Sequence, residues 1–377
     1  KTENMEEKKT TPPPRKTEDN GGIMLMLLIF ILAGAFSSIA QAMGCVDSVV
    51  NLTLSILPGN FILVGMFVAA CLVSLSIGTS CGTIAALTPI AVGIATATSA
   101  NVPMATAVVV GGSLFGDNLS FISDTTIMAT KTQGCRMSDK FKANIGIALP
   151  AAVLTILAYI FIGSGIESQT GLDIDNPLNI LPYIVVFVLA LAGMNVIWVL
   201  IMGIISATAI GLFQGSMDMT SLWAAAQKGI LGMHDLIIVT ILAAVIIDQL
   251  RKRGAIDWLI MNMGRIISSR RGAELSIAGA VVAVDMLTAN NTIAILAVGP
   301  VARSISYRYG IEAKRSASIL DTMSCFAQGI IPWGAQLLIA AGLASINPLD
   351  IIPYLYYPYI LGVITIMNII FYRKKDK

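Results

Sequence analysis

Apolar runs broken at short polar islands set the pattern of this chain. Residues 23–43, 141–162 and 236–250 with its approaches are almost wholly apolar, and about 20 such residues cross a bilayer as a helix. Two pairs of apolar arms flank polar breaks. Residues 61–77 and 83–97 surround GTSCG, and residues 275–286 and 292–306 surround LTANN. Each pair is followed by a helix that polar residues interrupt: 103–115 running into GDNLSFISDTT, and 313–320 running into DTMSCFAQG. Short, weakly amphipathic stretches at 46–57 and 256–267 suit the membrane interface. Two more spans, about 180–193 and 196–212, lie between the halves. This predicts an all-α polytopic membrane protein with inverted repeats, re-entrant hairpins and discontinuous transmembrane helices.

The repeat rests on matches in a common order. Gly44 and Asp47 pair with Gly254 and Asp257, Thr83 with Thr292, Pro89 with Pro300, and Asp117 with Asp321, at offsets of 210, 209, 211 and 204. The units are expected at 23–164 (hairpin 61–97, broken helix 103–130) and 234–371 (hairpin 273–306, broken helix 313–344), joined by 165–233. Residues 1–22, charged and rich in proline, read as a solvated tail with no signal-peptide order, so the first helix is expected to be retained. Residues 372–377 form a basic tail.

Charge supplies the orientation. With the breaks taken as re-entrant, 23 of the 24 Lys and Arg fall on one side, in segments 1–22, 131–142, 251–271, 303–315 and 373–377. Basic residues accumulate in cytoplasmic loops, so both termini are expected in the cytoplasm of a multi-pass protein of the cell (inner) membrane. Five crossings separate the starts of the two units, and an odd number inverts the second relative to the first.

Composition agrees. The chain is 56% hydrophobic and 12% charged, with a mean hydropathy of +0.81, against about 25% charged residues in soluble domains. Its net charge of +2 says nothing about partners, because what matters is where the charges lie; the bilayer is the expected partner, and no nucleic acid is expected. The five cysteines form no CxxC or Cys/His cluster and read as reduced packing residues. His234 reads as a solvated or capping residue, and Asp248, just before Arg251-Lys252-Arg253, as a neutralised interface residue.

The chemistry concentrates in GDNLSFISDTT. Carboxylates at membrane depth are costly and are kept beside water-lined cavities or partners, and unwound backbone is tolerated only where protein or a cavity covers it. Asp117 and Asp124 stand seven residues apart, two turns on one face of a continuous helix. Freed carbonyls can join Asp117, Asn118, Ser120, Ser123 and Thr125 as hard oxygen donors, the chemistry a small cation needs. Asp117, Asn118 and Asp124 are the expected ligands of such a cation. A desolvated carboxylate can hold a proton when no cation is bound, so proton and cation would compete. The second unit offers Asp285, Thr288, Asn290, Asn291 and Thr292 at its hairpin, and Asp321, Thr322, Ser324 and Gln328 in its broken helix. Under the offset of 204, Asp124 faces Gln328, which marks it for a role specific to the first unit. The plainer alternative is that these polar groups only join helices by hydrogen bonds.

GTSCGTIAALTPIAVGIA (78–95), GGSLFGDNLSFISDTTIMATKTQG (111–134) and LTANNTIAI (287–295) resemble the NhaC family of sodium/proton antiporters, in the ion transporter superfamily. The resemblance covers nearly all of 23–371 and implies exchange of sodium for protons, with some relatives exchanging malate and lactate. It carries over Asp117, Asn118, Ser120, Ser123, Asp124, Thr125 and Thr126, and the hairpin tip with Thr79, Ser80 and Thr83. It implies no cofactor beyond the transported sodium ion and proton, and no enzyme activity. A small organic acid is the alternative cargo, held by hairpin-tip amides. Family members usually carry about two or three further spans before the region matching Ile23, where this chain has its polar tail; a homodimer is therefore an open expectation.

Overall fold

The computed structural model describes residues 20–45, 59–77, 79–120, 123–163, 176–192, 194–234 and 269–371, with isolated positions between 45 and 59 and between 234 and 269. The expected segments 46–57 and 256–267, most of 236–250 and nearly all of both tails lie outside the described residues. Among the described residues every regular element is helical.

The helices are α1 Asn20–Ala42, α2 Ile62–Ile77, α3 Ser80–Ala97, α4 Val102–Leu119, α5 Asp124–Gln133, α6 Met137–Gly163, α7 Leu181–Leu191, α8 Val196–Phe213 and α9 Met219–Leu231, then α10 Arg270–Thr288, α11 Asn291–Arg308, α12 Ala313–Ile330, α13 Ala335–Ala344 and α14 Tyr356–Phe371. Local chemistry sets their ends. Asn101 caps α4 by accepting from the Met104 amide at 2.9 Å, with Pro103 in the first turn. Asn290 caps α11 through the Ile293 amide at 3.0 Å. Gly134 ends α5 at a φ of 72°, where a side chain would be strained. Ala289 turns the second hairpin at a φ of 48°, a conformation that costs a non-glycine residue about 1–2 kcal/mol.

The repeat is regular. Helix α3 recurs as α11, α4 as α12 and α5 as α13, each shifted by 211 residues, and α2 and α10 end at the same shift. Packing repeats as well. Helices α2 and α3 pack on α4 as α10 and α11 pack on α12. Across the units α3 packs on α13 and α11 on α5, while α4 and α6 meet α14 and α12 by the same exchange. These contacts survive swapping the units, which is the signature of a two-fold pseudo-symmetric pair. The fold is all-α with inverted repeats, re-entrant hairpins and discontinuous helices.

This register corrects two sequence expectations. Asp117 aligns with Gln328, and Asp124 with Ala335, because the shift is 211 and not 204. The second broken helix also breaks later than its polar residues suggest: Asp321 to Gln328 lie inside α12, which stops at Ile330. Pro332 explains the position, because it pushes the preceding Ile331 out of the helical region to a ψ of 112°. After the second linking span, α9 forms behind a capping box of Asp218 and Ser221 and packs on α1 at the close approach of Gly34 and Gly229.

By length and composition, four helices or broken helices among the described residues suit a membrane: α3, α4 with α5, α6, and α12 with α13. A fifth joins residues 348–354 to α14 across a 55° bend. Helix α6 shows how composition orients a span. Ala148, Ala151, Ala152, Thr155 and Tyr159 are buried on one face, while Leu149, Val153, Leu154, Leu157 and Phe161 are exposed on the other. Small residues let the inner face pack closely, and the outer face suits lipid.

Candidate functional site

Four half-helix ends meet at the centre. Asp117 lies in the last turn of α4 and is buried. Its carboxylate faces the hydroxyl and amide of Ser80, in the first turn of α3. The backbone carbonyl of Asp117 accepts from the Thr125 and Thr126 hydroxyls at 3.3 and 3.4 Å, which ties the two halves of the broken helix together. Ser123 begins α5, 2.8 Å from the Thr125 hydroxyl. Ser120 ends α4 and donates to the Leu75 carbonyl at 3.0 Å, fixing the break to the first hairpin. Asp124 opens α5 and is exposed. Asp117 and Asp124 thus sit on two separate half-helices and not on one continuous helical face.

Asn118 is fully buried, with its amide donating to the Leu114 carbonyl at 2.9 Å and to the Tyr357 hydroxyl at 3.2 Å. Its backbone carbonyl accepts from Lys140 Nζ at 2.8 Å and Asn144 Nδ2 at 2.9 Å. Lys140 also donates to Thr126 Oγ1 at 2.6 Å and pairs with Asp321 Oδ2 at 2.8 Å, and Asn144 donates to the same oxygen at 2.7 Å. Lys140 was counted above among the basic residues of a cytoplasmic loop. It is instead 1% exposed, one turn into α6, because Asp321 neutralises it there. Cys325 lies within electrostatic reach of Asp117, Asp321, Lys140 and Asp285, so these groups share one interior region.

The second hairpin contributes less directly. Both carboxylate oxygens of Asp285 lack a partner of ordinary geometry, with the Gln328 backbone facing them from further off. Thr288 donates to the Asn290 carbonyl at 3.3 Å, and Asn291 accepts from the Thr292 amide at 2.9 Å, leaving its own Nδ2 without a partner. Several predicted donors are spent on their own helices: Thr83 on the Thr79 carbonyl, Thr322 on that of Ser318, and Ser324 on that of Asp321. Thr79 is half-buried at the first tip.

Four residues that the sequence reading did not single out complete the centre: Lys140, Asn144, Gln336 and Tyr357. Gln336 donates to Ser80 Oγ at 3.0 Å and accepts from Gln328 Nε2 at 2.7 Å, and that amide also reaches the Ala289 carbonyl at 3.1 Å. A hydrogen-bonded path therefore runs from one hairpin tip to the other. The spacing of Lys140 and Asn144, one helical turn apart on an otherwise apolar span, was the available signal. Cys45, Cys71 and Cys325 are buried, Cys81 and Cys135 half-buried, and all five are free thiols. Asp248 is exposed and paired with Lys252 at 2.6 Å.

Broken helices meeting two re-entrant hairpins around buried carboxylates define a membrane carrier of the inverted-repeat class. The Na+/H+ antiporter family matches residues 20–164 and 178–373, and the chain belongs to that family. It is similar to the Na(+)/H(+) antiporter NhaC of Alkalihalophilus pseudofirmus, at 25% identity over 90% of this chain and 80% of that one. The Bacillus subtilis Na(+)/H(+) antiporter NhaC is 24% identical over 89% and 81%. The Malate-2H(+)/Na(+)-lactate antiporter of Bacillus subtilis is 19% identical over 88% and 77%. The NhaC resemblance read from the motifs is thereby established, and the chain is a multi-pass membrane antiporter.

Proposed function

We propose that this protein exchanges sodium for protons across the cell membrane, with both cations competing for Asp117. The observation that carries the reading is the placement of Asp117: a buried carboxylate at the carbonyl end of half-helix α4, facing Ser80 at the tip of the first hairpin. Carbonyl ends of half-helices favour cations, and hydroxyl, carbonyl and carboxylate oxygens are suitable donors for a hard ion. Asn118, Ser123, Thr125 and Thr126 supply further oxygens around the break. Asp124, exposed at the mouth of the break, passes the ion between water and Asp117. The basic segments support a cytoplasmic location for both termini.

A sodium-coupled organic-acid exchange is the second reading, favoured by the glutamine path that links Ser80, at the start of α3, to the Ala289 carbonyl, two residues before α11 begins at Asn291. Amides at such starts bind carboxylates. Lys140, buried at the centre, does not serve an anion, since Asp321 holds it. Reconstituted vesicles with an internal pH dye separate the readings. Sodium alone should drive proton movement; movement only with malate or lactate present would transfer the assignment to organic-acid exchange.

A further inference from the structure

Lys140 spends all three of its ammonium protons on buried oxygens. Its Nζ contacts a carboxylate, a backbone carbonyl and a hydroxyl, Asp321 Oδ2, Asn118 O and Thr126 Oγ1, all within 2.8 Å. Three further buried oxygens in the same residues, Asp321 Oδ1, Asn118 Oδ1 and Asn144 Oδ1, have no hydrogen-bond partner. Asp321, Asn118 and Asn144 are fully buried, and Lys140 nearly so. A set of hard oxygens at the carbonyl end of a half-helix is the chemistry of a cation site. Here the nitrogen of a side chain sits where a metal ion would.

The geometry points to a second, latent monovalent-cation site that Lys140 fills as a tethered cation. The inference rests on the cation-exchange reading above. Lys140 neutralises Asp321, so the carrier holds one exchangeable cation at Asp117 and not two. Its stem enters from α6, and its head bridges α12 of one unit to both halves of the broken helix of the other. An ammonium and a sodium ion carry the same charge, but only the sodium ion can leave. Lys140 is thus a positioning residue whose charge fixes how many ions the centre takes.

Lys140→Ala in the full chain tests this by two readouts. With sodium, equilibrium binding to the purified protein should show one ion per chain in the parent and two in Lys140→Ala, and one again in Lys140→Ala/Asp321→Asn. With propylammonium, a probe close to the removed part of the side chain, the melting temperature of Lys140→Ala should rise with concentration, while the parent and the double variant stay unmoved. Lys140→Arg, which keeps the charge, should retain the parent's single sodium. A folded Lys140→Ala that binds one sodium and ignores propylammonium would overturn the inference and leave Lys140 a purely structural contact. Loss of sodium binding in the parent itself would instead count against Asp117 as the cation site. In that case the propylammonium readout alone still decides the question of Lys140.

Discussion

Gly116→Ala tests whether hairpin packing sets the geometry of the site. A Cβ on Gly116 would stand 2.5 Å from the Ser74 carbonyl carbon and closer still to the Ser74 side chain. Carbon atoms pack at about 3.5–4.0 Å, so α2 must retreat by roughly 1 Å. Overpacking of this kind costs about 1–3 kcal/mol of stability. The hairpin tip moves with α2, taking Ser80 away from Asp117. A hydrogen bond to a charged group contributes about 1.5–3 kcal/mol, so the apparent sodium Kd should rise about 10- to 100-fold. Titration calorimetry and thermal unfolding of detergent-purified protein measure both effects. Gly146→Ala is the control, because a Cβ there meets nothing within 4 Å. A Gly116→Ala protein with the parent's melting temperature and sodium affinity would refute the link between hairpin packing and the site.

Asp124→Asn should abolish sodium-driven proton flux in vesicles with folding retained, while Asp248→Asn, whose exposed pair with Lys252 is solvated, should keep most of it; the reverse order would reject the site assignment. Glu274→Gln should lower thermal stability by about 3–5 kcal/mol, since it strips a buried charge from Arg315, now held by two hydrogen bonds of 2.7 and 2.6 Å. An unchanged melting temperature would show that Asn368, also bonded to Arg315, suffices. Ser221 holds the Asp218 carboxyl below the usual carboxylate range. Asp218→Ala should therefore destabilise above that range, and the difference should close as pH falls through the depressed pKa; a gap that widened in acid would reverse the sign.

Much of the architecture was legible because polar residues inside apolar runs are rare and positioned. The span expected at 141–162 is Met137–Gly163, and the hairpin breaks fall inside GTSCG and LTANN. The second break was misplaced because Asp321, Thr322, Ser324 and Gln328 look like an interruption. They are instead accommodated in a continuous helix, Asp321 and Gln328 by partners from other elements and Thr322 and Ser324 by carbonyls of the same helix, and Pro332 makes the break. The repeat register failed by seven residues, two helical turns, because matching Asp117 to Asp321 preserved the helical face while losing the position along it. Lys140 was missed, despite its helical spacing with Asn144, because its partner is 181 residues away and a lysine near a basic cluster reads as a loop charge until the fold supplies the carboxylate. Asp124 drew attention as one of a pair, yet burial singles out Asp117.

The central claim is that one carboxylate serves sodium and proton in turn. Sodium binding to detergent-purified protein, measured across pH in weak buffer, addresses it most directly. With one proton displaced per ion, the apparent sodium Kd should rise up to about tenfold for each unit that pH falls below the pKa of the site. Each binding event should release a proton, and Asp117→Asn should remove both effects. Sodium affinity independent of pH across the active range, with no proton released, would contradict competition at Asp117.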